Sequence, residues 1–197
     1  MTDILLIPGA FSSATSFNYM ISVFSQHPNV EKIHTFEYCS VTEHLTDIIN
    51  RANKTLTNLD QPVIVVGHSL GGVIAATLVN HRKSQSTLTI SAPLSGIKLN
   101  RLVAFYLSHS IPIFDDLTES SPIIQSIHNA KYTKSFTMLA STHGFNPAIF
   151  EQNDGIVTVA SQVKWKPKIA RLERIETTHH EILQRPEVMV ELARLLE

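Results

Sequence analysis

Apolar positions along this chain follow two rhythms. Short continuous runs of aliphatic residues alternate with longer stretches in which apolar residues recur every three or four positions. The first rhythm predicts buried strands and the second amphipathic helices. Residues 3–7 (DILLI) read as a strand that stops at Pro8-Gly9, and residues 33–37 (IHTFE) as a second strand. Val41, Leu45, Ile48, Ile49, Ala52 and Leu56 then fall at helical spacing, with Ser40 and Glu43 placed as a capping box at the start. Residues 62–66 (PVIVV) form the next strand. Residues 70–82 are apolar on nearly every helical face, which predicts a largely buried helix. Residues 87–91, 135–140 and 171–176 complete the strands. Pro186 opens a last helix, with Met189, Leu192, Ala193 and Leu196 on one face.

Strand and helix in repeated alternation predict an α/β fold with a parallel sheet covered on both faces. Residues 93–130 break the rhythm. They hold LNRLVAFYLSHSIPIF, apolar and helical in pattern, and then DDLTESSP. This stretch is too long for a simple crossover. It is either a helical excursion packed on the core or a lid over a pocket. No internal repeat and no low-complexity tract marks a boundary, so residues 1–197 read as a single domain.

Composition narrows the class. At 197 residues and 43% hydrophobic content, the chain suits one compact domain with a sizeable core. Net charge is −1 and no block of like charge occurs, which argues against a nucleic-acid partner or a polybasic membrane patch. Cys39 is the single cysteine, which excludes an internal disulfide and a Cys-rich metal site. The N-terminal MTDILLIPGAF lacks a basic start, and its apolar run is too short for a signal peptide or a membrane span. The chain therefore reads as cytoplasmic, or as a mature form. Most of the ten histidines are scattered and read as surface or packing residues.

Chemistry enters where the pattern is interrupted. In VIVVGHSLGGVIAATLV, a polar His68-Ser69 pair stands between a strand and a helix, within Gly67-His68-Ser69-Leu70-Gly71. A serine on a sharp strand-to-helix turn presents its hydroxyl clear of the sheet. Glycines on both sides leave room for that turn, and the following helix aims free N–H groups at a reacting oxygen. A nucleophilic serine needs a base, and the base an orienting acid. In parallel sheets with such a turn the partners follow in the order serine, acid, histidine. Asp154, in the turn Asn153-Asp154-Gly155, is the candidate acid. The base comes from His179-His180, just before Pro186, and adjacency leaves the choice between them open. A metal-ligand reading of that pair is weak, because no ligand cluster accompanies it. The oxyanion donors are the Leu70 N–H and a second N–H from Pro8-Gly9-Ala10-Phe11, with Ala10 ahead of Phe11. Phe11 and His68 are candidate substrate contacts. Phe17, Leu70, Leu102, Phe105 and Phe114 are candidate apolar liners.

Together PGAF, GHSLGG, NDGIVTVAS and THHEILQRP resemble the α/β-hydrolase superfamily, and within it the small lipases and esterases. The resemblance runs over most of the chain. It implies a reduced α/β-hydrolase fold: about six parallel strands, helices on both faces, no leading antiparallel pair, and a lid-like excursion at 93–130. It also supports Asp154, because an Asp-Gly-x-Val stretch commonly carries the acid. It favours His179 over His180, since Ile182, Leu183 and Pro186 then fall where the family's terminal motif has an aliphatic pair and a proline. Pro8 stands where the family usually has a histidine before the oxyanion glycine. The implied activity is hydrolysis of a small-molecule carboxylic ester by Ser69, Asp154 and His179, with no metal and no cofactor. A thioesterase, amidase or acyltransferase would use the same groups, and a non-catalytic binding protein could retain the scaffold.

Overall fold

The computed structural model describes residues 1–97 and 111–197. A six-stranded, wholly parallel sheet forms its centre, in the order β2-β1-β3-β4-β5-β6. The strands are β1 (Thr2–Ile7), β2 (Val30–Thr35), β3 (Val63–His68), β4 (Ser84–Ile90), β5 (Ser135–Ser141) and β6 (Arg171–Ile175). The described helices are α1 (Asn18–Phe24), α2 (Leu45–Thr57), α3 (Leu70–Thr77), α4 (Ile113–Asp116), α5 (Pro122–Asn129), α6 (Val159–Val163) and α7 (Pro186–Leu195). Short 3₁₀ turns cover Ala14–Phe17 and Glu181–Gln184.

The pleat sends alternate residues to opposite faces. Leu5, Ile7, Val63 and Val65 point into one apolar layer, which α2, α3 and α5 cover through Ile48, Leu56, Val73, Ile74 and Ile124. Ile4, Leu6, Ile64, Val66, Leu88 and Ile90 point into the other, covered by α1 and α7 through Met20, Phe24, Val188 and Leu192. Continuous apolar runs such as LLI and VIVV are what a strand buried on both faces requires. Each fully buried Leu or Ile contributes about 1.5–3 kcal/mol. Leu70 through Ala76 of α3 are all buried, as the all-round apolar pattern predicts.

Several boundaries differ from the sequence pattern. The second strand runs over Val30–Thr35, earlier than 33–37, because its ladder with β1 ends where Leu6 pairs Thr35. As an edge strand it is only half covered, so its apolar signal is weak. The helix expected from Val41 begins at Leu45, whose N–H donates to Asp116 Oδ2 at 3.0 Å. Ser40 does not cap it. Its hydroxyl is engaged by Phe11 instead. The helix after Ser69 ends at Thr77 rather than 82, and β4 begins at Ser84.

Within the 93–130 excursion, residues 98–110, including Leu102 and Phe105, lie outside the described residues. In its second half, α4 and α5 bury Ile113, Leu117, Ile124 and Ile127 in the same layer as α3. From β1 the chain crosses to β2 on one side, and from β3 to β4 on the other. Such a reversal opens a crevice at the C-terminal ends of the two central strands. The loop after β1 and Ser69 meet there.

Candidate active site

Ser69 is the one residue between β3 and α3, with φ 54° and ψ −121°. A non-glycine residue in such a conformation costs about 1–3 kcal/mol and persists only where its surroundings enforce it. Here the Ser69 N–H donates to Ile90 O at 2.8 Å, and its carbonyl accepts from Gly72 N at 2.9 Å. The flanking glycines are sterically required. A Cβ at Gly67 would lie 2.1 Å from Gly71 O, and one at Gly71 would lie 2.0 Å from Ile7 O. The turn is thus pressed between its own helix and the end of β1.

Two backbone donors border it. Leu70 N–H opens α3, where no intrahelical acceptor exists. Ala10 N–H lies on the loop after β1. Among the described residues neither has a protein acceptor. Phe11 N–H, the other candidate on that loop, is occupied by Ser40 Oγ at 2.9 Å. The Ser69 hydroxyl makes no hydrogen bond among the described residues.

Asp154 and His179 meet although 25 positions separate them. His179 Nδ1 lies 2.7 Å from Asp154 Oδ2, and both residues are about 98–99% buried (2% and 1% exposed). A second link joins their backbones, His179 N–H donating to Asp154 O at 3.0 Å. Asp154 Oδ1 accepts from the Ile156 and Val157 N–H groups at 3.0 and 2.7 Å. Its Oδ2 accepts also from Ser141 Oγ and from Gln162 Nε2, the latter at 3.0 Å. Burial by itself would raise the carboxyl's pKa. The His179 hydrogen bond and charge, with those from Ser141 and Val157, outweigh it and hold the group below the usual carboxylate range. An ionised Asp154 fixes His179 with a proton on Nδ1, leaving Nε2 as the basic nitrogen.

His68, expected beside the substrate, is instead 1% exposed and stands behind the imidazole. Its Nε2 donates to His179 O at 2.8 Å, and the two ring centroids are 4.8 Å apart. Burial, then the charge of His179, push its pKa down to about 3, so it is neutral across the physiological range. His180 is exposed, and its ring stands 5.2 Å from that of His179 at 86°. The hydrogen bond to Asp154 is made by His179. Phe11 is 63% exposed at the mouth of the crevice, 6.5 Å from the Phe114 ring. Phe17 is fully buried in the layer beneath α1 and α7, away from the crevice.

Sequence reasoning missed Ser141 and Gln162 as partners of the Asp154 carboxylate. Ser141 ends β5, and the C-terminal ends of parallel strands are where site residues gather, so that signal was available. Gln162 sits on α6 with no local mark. Among the described residues, no three His, Cys, Asp or Glu side chains converge as metal ligands. Nor is any described helix long and apolar enough to cross a membrane.

A family model described as serine aminopeptidase, S33, matches residues 31–141. No curated protein matches at the level of sequence. Solved structures do match in fold. A monoacylglycerol lipase of Paleococcus ferrophilus superposes with a TM-score of 0.71 at 14% identity, covering 98% of this chain and 93% of that one. A Bacillus licheniformis lipase in mature form gives 0.69 at 14% identity, covering 98% and 91%. A lipase-esterase related protein of Clostridium acetobutylicum gives 0.64 at 14% identity, covering 98% and 94%. At these identities the likeness shows the shared fold.

Proposed function

The chain belongs to the serine aminopeptidase S33 family, within the α/β-hydrolases, and on that premise we propose that it cleaves carboxylic esters through Ser69, His179 and Asp154. The observation that carries this reading is the buried 2.7 Å His179–Asp154 hydrogen bond beside a serine held at φ 54°. His179 Nε2 takes the proton of Ser69 Oγ as the oxygen attacks the ester carbonyl. Asp154 keeps the Nδ1–H tautomer and stabilises the imidazolium that forms. The N–H groups of Ala10 and Leu70 receive the developing oxyanion. His179 then passes its proton to the leaving alcohol. In the second half it takes a proton from the water that attacks the acyl-enzyme, and returns that proton to Ser69 Oγ as the acid leaves.

The scheme also requires a contact between Ser69 Oγ and His179 Nε2, which is not among the hydrogen bonds of the described residues. Such contacts tighten when substrate binds. Every step uses side chains and backbone of this chain, and the substrate is a small-molecule ester. The lipase and esterase names among the structural relatives favour esters. The name of the matched family favours amides of peptide N-termini as the second substrate class.

Hydrolysis of a panel of p-nitrophenyl esters, thioesters and aminoacyl anilides tests the reading, with Ser69→Ala as control. Ester turnover that disappears in Ser69→Ala supports it. Undiminished turnover in that variant refutes the assignment of Ser69, and turnover of anilides alone refutes the ester preference.

A further inference from the structure

Three side chains of the segment that leaves β2 reach across to the loop that follows β1. Tyr38 OH donates to Pro8 O at 2.8 Å. Ser40 Oγ accepts from Phe11 N at 2.9 Å. Glu37 Oε1 accepts from Ala14 N, also at 2.9 Å. The first two bonds bracket Gly9 and Ala10, and so bracket the N–H that the proposed chemistry needs.

The bracket holds a conformation that the loop would not choose alone. Phe11 has φ 57°, a left-handed value that a bulky residue adopts at a cost of about 1–3 kcal/mol. Its N–H is taken up by Ser40 Oγ. Ser40 is almost fully buried, so its hydroxyl is a fixed acceptor rather than one exchanged with water. The Tyr38 ring stacks on Phe36 at 6.0 Å and packs against the α2/α3 layer, which fixes the phenol's reach. On its inner side the loop already touches the elbow: a Cβ at Gly9 would stand 3.1 Å from Ser69 Cβ and 3.3 Å from His68 Nδ1. Between the elbow and the two clamps, Ala10 has little freedom.

We infer that Tyr38 and Ser40 are positioning residues of the oxyanion hole, setting where the Ala10 N–H stands relative to Ser69. The inference rests on the proposed Ser69 chemistry. Neither side chain touches the reacting atoms. Each acts through the backbone of Pro8–Phe11, one from the carbonyl side and one from the N–H side. With Ser40 lost, Phe11 N–H is released and its left-handed turn can relax. With the Tyr38 hydroxyl lost, the end of β1 loses its tether. Removing an oxyanion donor outright costs about 10²–10³ in kcat, so displacing one predicts a loss of about tenfold per clamp.

Ser40→Ala, Tyr38→Phe and the double variant test this, with the exposed Tyr19→Phe as control. Tyr38→Phe retains the ring and its packing, so it folds even if Ser40→Ala does not. Three quantities are measured: kcat and KM on a short-chain p-nitrophenyl ester; the Ki of a trifluoromethyl ketone, which forms the tetrahedral oxyanion on serine; and the Ki of the matching ether, which has no carbonyl. The expected result is a kcat lower by about tenfold in each single variant. Ketone affinity falls by the same factor, while KM and ether affinity stay within about twofold. A merely structural role would lower the melting temperature, or weaken ether and ketone equally. Wild-type kcat and ketone affinity in the Tyr38→Phe variant, or a change confined to KM, overturns the inference while leaving the ester reading intact. A wild-type protein inert to esters, thioesters, amides and a fluorophosphonate probe refutes that reading, and the inference with it.

Discussion

Replacing Ser69 by glycine should make the protein more stable than replacing it by alanine, although both variants lose the proposed nucleophile. The structure sets the magnitude. Ser69 sits at φ 54° and ψ −121°, where a residue with a Cβ pays about 1–3 kcal/mol. Its hydroxyl has no hydrogen-bond partner among the described residues, so Ser69→Ala removes no bond and keeps the strain. That variant should lie within about 0.5 kcal/mol of wild type. Glycine relieves the strain but adds about 0.5–1 kcal/mol of conformational entropy to the unfolded chain. The net gain of Ser69→Gly over Ser69→Ala centres on about 1.3 kcal/mol, within a span of about 0–2.5 kcal/mol. In a chain of this size the central value raises Tm by about 3–5 °C. Urea unfolding at 25 °C and calorimetry both report it, with ester turnover absent from each variant. A glycine variant less stable than the alanine variant by about 0.5–1 kcal/mol, the entropy term alone, would refute the claim that the elbow stores strain, because that comparison changes little else.

Three further outcomes follow from the groups around His179. Gln162→Leu strips partners from the Ser141 N–H and C=O and one donor from Asp154, all buried, and should cost about 3–6 kcal/mol by chemical denaturation while lowering kcat; a loss under about 1 kcal/mol would show the cage to be slack. His179→Ala should abolish ester turnover and His180→Ala should leave it within about threefold, since His179 makes the bond to Asp154; the reverse pattern in the two assays would reassign the base. The His68 pKa is lower folded (about 3) than unfolded (6.5), so as pH falls through that window the unfolded chain binds the proton first. Wild-type stability should therefore decline from pH 6.5 toward 3, by up to about 1.4 kcal/mol per unit. His68→Gln, which retains a donor for His179 O, should lose that part of the slope; parallel pH profiles for the two proteins would contradict it.

Features with a strong local period are the ones legible along the chain. β3 and the start of α3 stand where PVIVV and the all-apolar stretch after Ser69 put them, because both elements are buried on every side and their patterns are nearly pure, although α3 ends at Thr77 rather than 82. β2 is displaced by about three residues, since an edge strand needs apolar residues on only part of its surface. Ser40 illustrates the harder kind of error. Its spacing from Glu43 predicts a helix cap, yet its hydroxyl serves Phe11, 29 positions earlier in the chain. A cap and a loop clamp ask for the same side chain, and local sequence cannot say which backbone will come near it.

The site divides along the same line. The serine between two glycines, with a β-branched strand before it and an apolar helix after it, is determined by the sequence alone. Its neighbours in the chain build the turn, and steric need reveals it. So is the parallel α/β architecture, because alternation of buried strands and helices is a local pattern repeated. What only the tertiary structure decided is which polar groups serve that serine's surroundings. It put His179 on Asp154, His68 behind His179, Ser141 and Gln162 around the carboxylate, and Tyr38 and Ser40 on the loop after β1. These bonds join residues 8 to 111 positions apart. A hydrogen bond depends on a few tenths of an ångström in space and leaves no period in the chain, so only the closed sheet and its crossovers specify them.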